Sequence, residues 1–212
     1  MASSTTQGAN AMKNPSVFPI DQKLYARAAA VAREAIGTLE VYSADLLERV
    51  TFENNLEKVP STGKQIAAAF DAALKGCAKM PILATPSDCQ CFLGEKANNV
   101  YRALHDFDHY QAFMGGNGGT TKLADEIELN VLMVNRIMAL VTEHQDIADT
   151  TRALLFADLV GQSFYYAKNK DFISNHGQAE FAKWLGGYIL GGILQGVDPL
   201  KTIEQVKVWP KF

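Results

Sequence analysis

Apolar positions recur every three or four residues through most of the chain after residue 20. Nowhere do they alternate with polar ones over the length of a strand flanked by turn residues, so the rhythm predicts helices. The first helix is expected in DQKLYARAAAVAREAIGTLEVYSADLLERV, broken or bent at Gly37 and Thr38. Ile66, Phe70 and Leu74, at spacing four, put a single apolar stripe on GKQIAAAFDAALKGC. Residues 79–86 contain two prolines and read as a connection. Ser87 and Gln90 have the S-x-x-Q spacing of a capping box, which predicts a helix opening there and running to about Phe113. Leu93, Ala97, Val100, Leu104 and Phe107 form its core stripe. GGNGG ends it. Further helices are expected over residues 122–144, 147–168, 178–195 and 199–206, the last opened by Asp198 as N-cap and Pro199 at the first helical position. The pattern as a whole implies an all-α, single-domain helical bundle over residues 20–212, behind a flexible polar arm over residues 1–19.

Composition narrows the class. With 48% apolar and 20% charged residues among 212, the chain has the make-up of a folded globular protein. A net charge of −3 with no basic block argues against a nucleic-acid partner held through phosphates. The first 19 residues lack the apolar segment of a secretory signal, and the most apolar stretch, residues 184–194, is shorter than the roughly 20 residues a bilayer needs. Three cysteines, an odd number, point to reduced thiols and a cytoplasmic location. Cys89 and Cys91 are spaced C-x-C, which is neither the redox nor the zinc spacing, and read as ordinary thiols. WLGGYILGGILQG carries Gly187-x-x-x-Gly191, small residues that let helices approach closely, either inside the core or across a homo-oligomer interface.

Chemistry concentrates in YRALHDFDHYQAFMGGNGG. Two of the four histidines, His105 and His109, stand four apart and so share one helix face, able to aim two imidazoles at one point. Carboxylates to complete a site should come from neighbouring helices. ADEIELNVLMVNRIMALV is apolar on nearly every side, yet holds Glu126 and Asn130 four apart and Glu128 on an adjacent face. RALLFADLVGQSFYYA repeats the anomaly with Asp158, Gln162 and Tyr165 among leucines. A carboxylate buried without a partner costs several kcal/mol, so these positions call for pairing, hydrogen bonds or a metal ion. His105, His109, Glu126 and Asp158 are therefore the expected ligands of one divalent ion, iron, manganese or zinc, with the choice between Glu126 and Glu128 open. Glu126 or Asp158 could instead serve as general base, Asp106 would orient a histidine, and Arg102, Gln162 and Tyr165 would contact a small-molecule substrate. The competing reading is a buried hydrogen-bond network that fixes helix register in a non-enzymatic protein. GGNGG, just after His109, is either a lid or a permissive connection.

His105-Asp106 resembles the metal-binding pair of HD-domain phosphohydrolases, which are also all-α, but no histidine precedes His105 to supply that family's first ligand. The longer pattern R-A-x-H-D-x-x-x-H, followed by a glycine loop, a glutamate and an acidic residue before G-Q, resembles a group of uncharacterised helical proteins, many of them phage-encoded. Here those positions are Arg102, His105, Asp106, His109, Glu126 and Asp158, followed by Gly161-Gln162. That likeness implies a shared site without naming its reaction, and a host cytoplasm as location if the chain is phage-encoded. The two E-x-x-H motifs of ferritin-like di-iron proteins are missing. Metal-activated hydrolysis, for instance of a phosphoester or nucleotide, and iron-dependent oxygen chemistry both remain open.

Overall fold

A computed structural model describes residues 17–212. The fold is predominantly helical, as the periodicity implies. Helix α1 (Gln22–Tyr42) runs straight through Gly37. One glycine costs a helix about 1 kcal/mol. That is outweighed by the buried face of Ala28, Ala32, Ala35, Ile36 and Leu39. A short α2 (Ala44–Leu47) follows, then β1 (Val50–Glu53), α3 (Gly63–Leu74) and β2 (Met80–Leu83). The two strands pair in parallel, Val50 opposite Met80 and Glu53 opposite Leu83, so α3 is the crossover that parallel pairing requires. The connection expected over residues 79–86 is therefore in part a strand. Met80 and Ala84 donate their N–H groups to Arg49 and Glu53, which leaves the nitrogen of Pro81 on the side facing away from β1.

Helix α4 (Glu95–Met114) takes Gly94 as its N-cap, seven residues beyond Ser87, which was expected in that place. Tertiary contacts take the Ser87–Gln90 segment instead. The Gln90 N–H bonds the Asn175 carbonyl, and the Asn175 side chain bonds Asp88. Phe92 and Leu93 are sunk in the core ahead of the first helical turn. Then come α5 (Leu123–Met138), α6 (Ala148–Leu155), a π-helical turn (Phe156–Val160), α7 (Gly161–Asn169), α8 (Gln178–Ile193) and α9 (Pro199–Glu204). Asp198 caps α9 through the N–H groups of Leu200 and Lys201.

The main core lies between α1, α4, α5, α6, the π turn and α8. A smaller one lies under the strand pair, where Phe70 of α3 meets Phe107 and Tyr110 of α4. Helix α4 is the seam. Ala97, Val100 and Leu104 face the main core, Ala103 and Phe107 the minor one, and a third face is left over for His105 and His109. Leu74, placed on the α3 core stripe by spacing, is exposed at the end of its helix.

Within the arm expected over residues 1–19, Phe18 is tied to α8. Phe18 donates its backbone N–H to Gly187 at 2.9 Å, and Ile20 is buried. The remainder of the arm, residues 1–16, lies outside the described residues. A Cβ on Gly187 would stand 2.5 Å from the Phe18 carbonyl, and one on Gly186 would press on Leu154 and Ile20. A Cβ on Gly192 would collide with Thr202 of α9. These small residues of α8 are occupied by contacts within the chain itself. No helix among the described residues is long and apolar enough to cross a membrane.

Candidate metal centre

The leftover face of α4 meets α5. His105 Nε2 lies 3.2 Å from Glu126 Oε2, His109 Nε2 lies 3.3 Å from Glu126 Oε1, and the two Nε2 atoms are 3.2 Å apart. Two imidazoles and one carboxylate thus converge, with a ligand atom of each within 4.8 Å of the others. His105 is 8% exposed and His109 1%. The choice between two glutamates is decided by rotation about α5. Glu126 turns to the histidines and Glu128 is exposed to solvent.

His109 is held from behind. Its Nδ1 donates to the Gly119 carbonyl at 3.2 Å, which leaves the Nε2 lone pair of the neutral ring aimed at the cluster. Gly119 has φ 73°, and a Cβ there would collide with the His109 carbonyl and the Phe113 nitrogen. The glycine loop is thus pressed against the last turns of α4. Its far end is fastened by Thr120, whose N–H and hydroxyl both bond Asp125 at the start of α5. Among the described residues, none of the four glycines lines the cavity beside the cluster. The loop backs His109, and the orienting contact expected from Asp106 comes from the Gly119 carbonyl. Asp106 bonds neither histidine among the described residues, and His105 Nδ1 is buried without a partner.

Tyr101 stacks on His105 with ring centroids 5.5 Å apart and bonds Asn130 of α5 through its hydroxyl. Asp108, 4% exposed, takes both nitrogens of Arg136 at 3.1 Å, a bidentate clamp between α4 and α5. Burial alone would raise Glu126, but hydrogen bonds from His105 and His109 and their charges outweigh it and hold its carboxyl at about 2. For His109, burial opposes protonation, while the Glu126 carboxylate and the Gly119 carbonyl together raise it above the ordinary value.

A cavity of about 370 Å³ opens from the cluster. Arg102, Asp106, Asp158 and Gln162 line it. Asp158 stands outside the three-residue group that could hold an ion, so the four-ligand set expected from the sequence becomes two histidines and one carboxylate. Burial lifts the Asp158 carboxyl to about 6 against the opposing pull of the Phe92 N–H, Gln162 and Arg102. Gln162 donates to it at 3.3 Å. Arg102 gives one N–H to the Leu83 carbonyl at 3.4 Å and keeps its Nε buried without a partner. Tyr165 does not line the cavity. It is 3% exposed and packs on Phe181, Trp209 and Phe212 in the core. The π turn, which contains Asp158 and precedes Tyr165, is the reason. A π turn inserts extra arc into an α-helix and rotates everything after it, so a stripe drawn at 3.6 residues per turn points the wrong way.

No known protein family, curated protein or solved structure matches this chain. The motif resemblances therefore stand on their own few residues. The HD pair is not reproduced as a pair of ligands, because His105 joins His109 and Asp106 lies outside the group.

Three contributors escaped sequence reasoning. Gly119 acts through a carbonyl, which every residue has. The Asp108–Arg136 clamp joins positions 28 apart that share no pattern. Tyr101 fell between the core stripe and the histidines, although its place four residues before His105 was a usable signal.

Proposed function

We propose that His105, His109 and Glu126 hold one divalent metal ion, iron, manganese or zinc, and that the protein is a metal-dependent hydrolase of a small anionic ester such as a phosphoester or nucleotide. The observation that carries this reading is the convergence of two Nε2 atoms and both Glu126 oxygens at 3.2–3.3 Å beside a cavity. The donor set fits these metals, and three protein ligands leave coordination positions open toward the cavity. A bound ion supplies Lewis acidity to water and to a substrate oxygen. The rest falls to the chain. Gly119 fixes the His109 tautomer, Arg102 on the cavity wall meets the anionic group, and Asp158, titrating at about 6, accepts a proton at neutral pH.

The test is metal analysis of protein purified without a histidine tag, followed by turnover of a phosphoester panel. One ion per chain is expected, lost in His105→Ala and His109→Ala and strongly weakened in Glu126→Gln. Asp158→Asn should keep the ion and lose turnover. Metal-free protein, or full metal in both histidine variants, sinks the proposal and leaves a structural polar cluster in its place. A second reading, iron-dependent oxygen chemistry, draws on the same two-histidine, one-carboxylate set. Oxygen uptake by the ferrous protein together with an inactive phosphoester panel would select it.

A further inference from the structure

We infer that the cavity continues outward into an aromatic vestibule that takes a planar ring of the substrate, so that the ligand is an anionic ester of an aromatic or heteroaromatic group. This rests on the metal-centre reading for the anionic end alone. A second cavity, of about 440 Å³, shares Thr121, Glu126, Gln162 and Ser163 with the first. Glu126, the carboxylate that meets both histidines, is thus a wall common to both. The outer lining is of another kind, with Leu123, Tyr166 and Phe172 as its large apolar side chains and Lys170 as its cation. These side chains are 43%, 44% and 72% exposed, beside a cavity lined by Arg102, Asp106, Asp158 and Gln162.

The aromatic pair is a built feature. Helix α7 ends in Lys170, whose φ of 57° is the one left-handed backbone angle at a non-glycine residue among the described residues. Its N–H bonds the Tyr166 carbonyl at 2.8 Å. The reversal brings Phe172 back over Tyr166, with ring centroids 4.5 Å apart and planes within 23°. Lysine is disfavoured in that region of backbone space, and the turn it makes fixes where two exposed rings stand. Exposed rings stacked on the rim of a cavity gain by being covered, and a flat ring covers them best. A ligand seated there can send its anionic end past Glu126 toward Arg102.

Calorimetry on the full chain, as purified with its metal, would titrate methyl-, cyclohexyl-, phenyl- and naphthylphosphonate. Phenyl should bind about tenfold tighter than methyl and several-fold tighter than cyclohexyl, with naphthyl tighter again. The double variant Tyr166→Ala/Phe172→Ala should erase the gradient while metal content and methylphosphonate affinity stay unchanged. Adenosine monophosphate run beside phenylphosphonate separates a nucleobase from a simple aryl group. Naphthol, which has no anionic end, is titrated in parallel. If the cluster holds no metal, methylphosphonate binding disappears, yet naphthol should still bind the wild type and not the double variant. Equal affinities across the series, a gradient that survives the double variant, or naphthol binding that ignores it would each overturn the vestibule.

Discussion

Helices α4 and α8 are the two odd stretches of this chain, and they resolve in opposite directions. Helix α8 is rich in glycine, and Gly186, Gly187 and Gly192 are consumed by packing. Phe18, Ile20, Leu154 and Thr202 all approach where a side chain would otherwise stand. Helix α4 carries two histidines, and packing does not consume them. Its two core faces are filled by other residues, and the imidazoles turn to Glu126 and a cavity. An anomalous residue type marks either a close approach or chemistry. The neighbours decide which, by closing over the residue or by leaving space beside it.

Glycine substitutions sharpen that comparison, because one glycine belongs to the site and the others to the core. The largest effect is expected for Gly119→Ala. The added carbon meets backbone atoms of α4 and the positive φ resists it, so the loop must move and take its carbonyl from His109. Loss of about 2–4 kcal/mol in denaturant unfolding should come with loss of the metal ion. Stability lost with metal retained would return GGNGG to the role of a plain connector. Gly187→Ala should cost about 1–3 kcal/mol through its clash with Phe18 and leave metal content alone.

Asp158→Asn is expected to act through pH. In the metal-free protein Asp158 titrates at about 6 against an ordinary 3.8. Between those values the folded state keeps a proton that the unfolded chain gives up. Wild-type stability therefore falls as pH rises through that window, by roughly 2–3 kcal/mol, and is flat with respect to this group above it. The asparagine variant lacks this slope, so it should be the more stable protein at pH 7 by about that amount, with the advantage vanishing near pH 4. Parallel melting curves across the range would show it, and a constant gap at all pH values would place the effect elsewhere. The smallest change is expected from Glu128→Gln, within about 0.5 kcal/mol and without effect on metal, because its side chain is exposed on α5. Metal loss there would reopen the choice between the two glutamates.

Much of the site was visible in the chain as conflict between a residue and its surroundings. His105 and His109 shared a helix face by spacing alone, and Glu126 stood out as a carboxylate in an apolar helix. Asp158 was found by the same logic, but its distance from the histidines was not, since that depends on how three helices cross. Tyr165 was misplaced because hydrogen bonding in the π turn, and not residue type, set the rotation of α7. The strand pair was hidden for a different reason. Four residues with a proline among them are too short to show alternation, and a parallel ladder exists only once α3 has brought its ends together.

By itself, then, the sequence determined the helices with long buried faces, since their apolar spacing is a local property that packing only ratifies. It also determined that α4 would carry a pair of imidazoles on one side. Tertiary structure alone decided what those imidazoles face. The approach of α5 selected Glu126, and the return of the loop gave His109 the Gly119 carbonyl. The π turn put Asp158 and Gln162 in the cavity and Tyr165 in the core. The reason is physical. Helix formation depends on neighbours three or four residues away, whereas a site depends on directions, and directions are set where elements from distant parts of the chain meet.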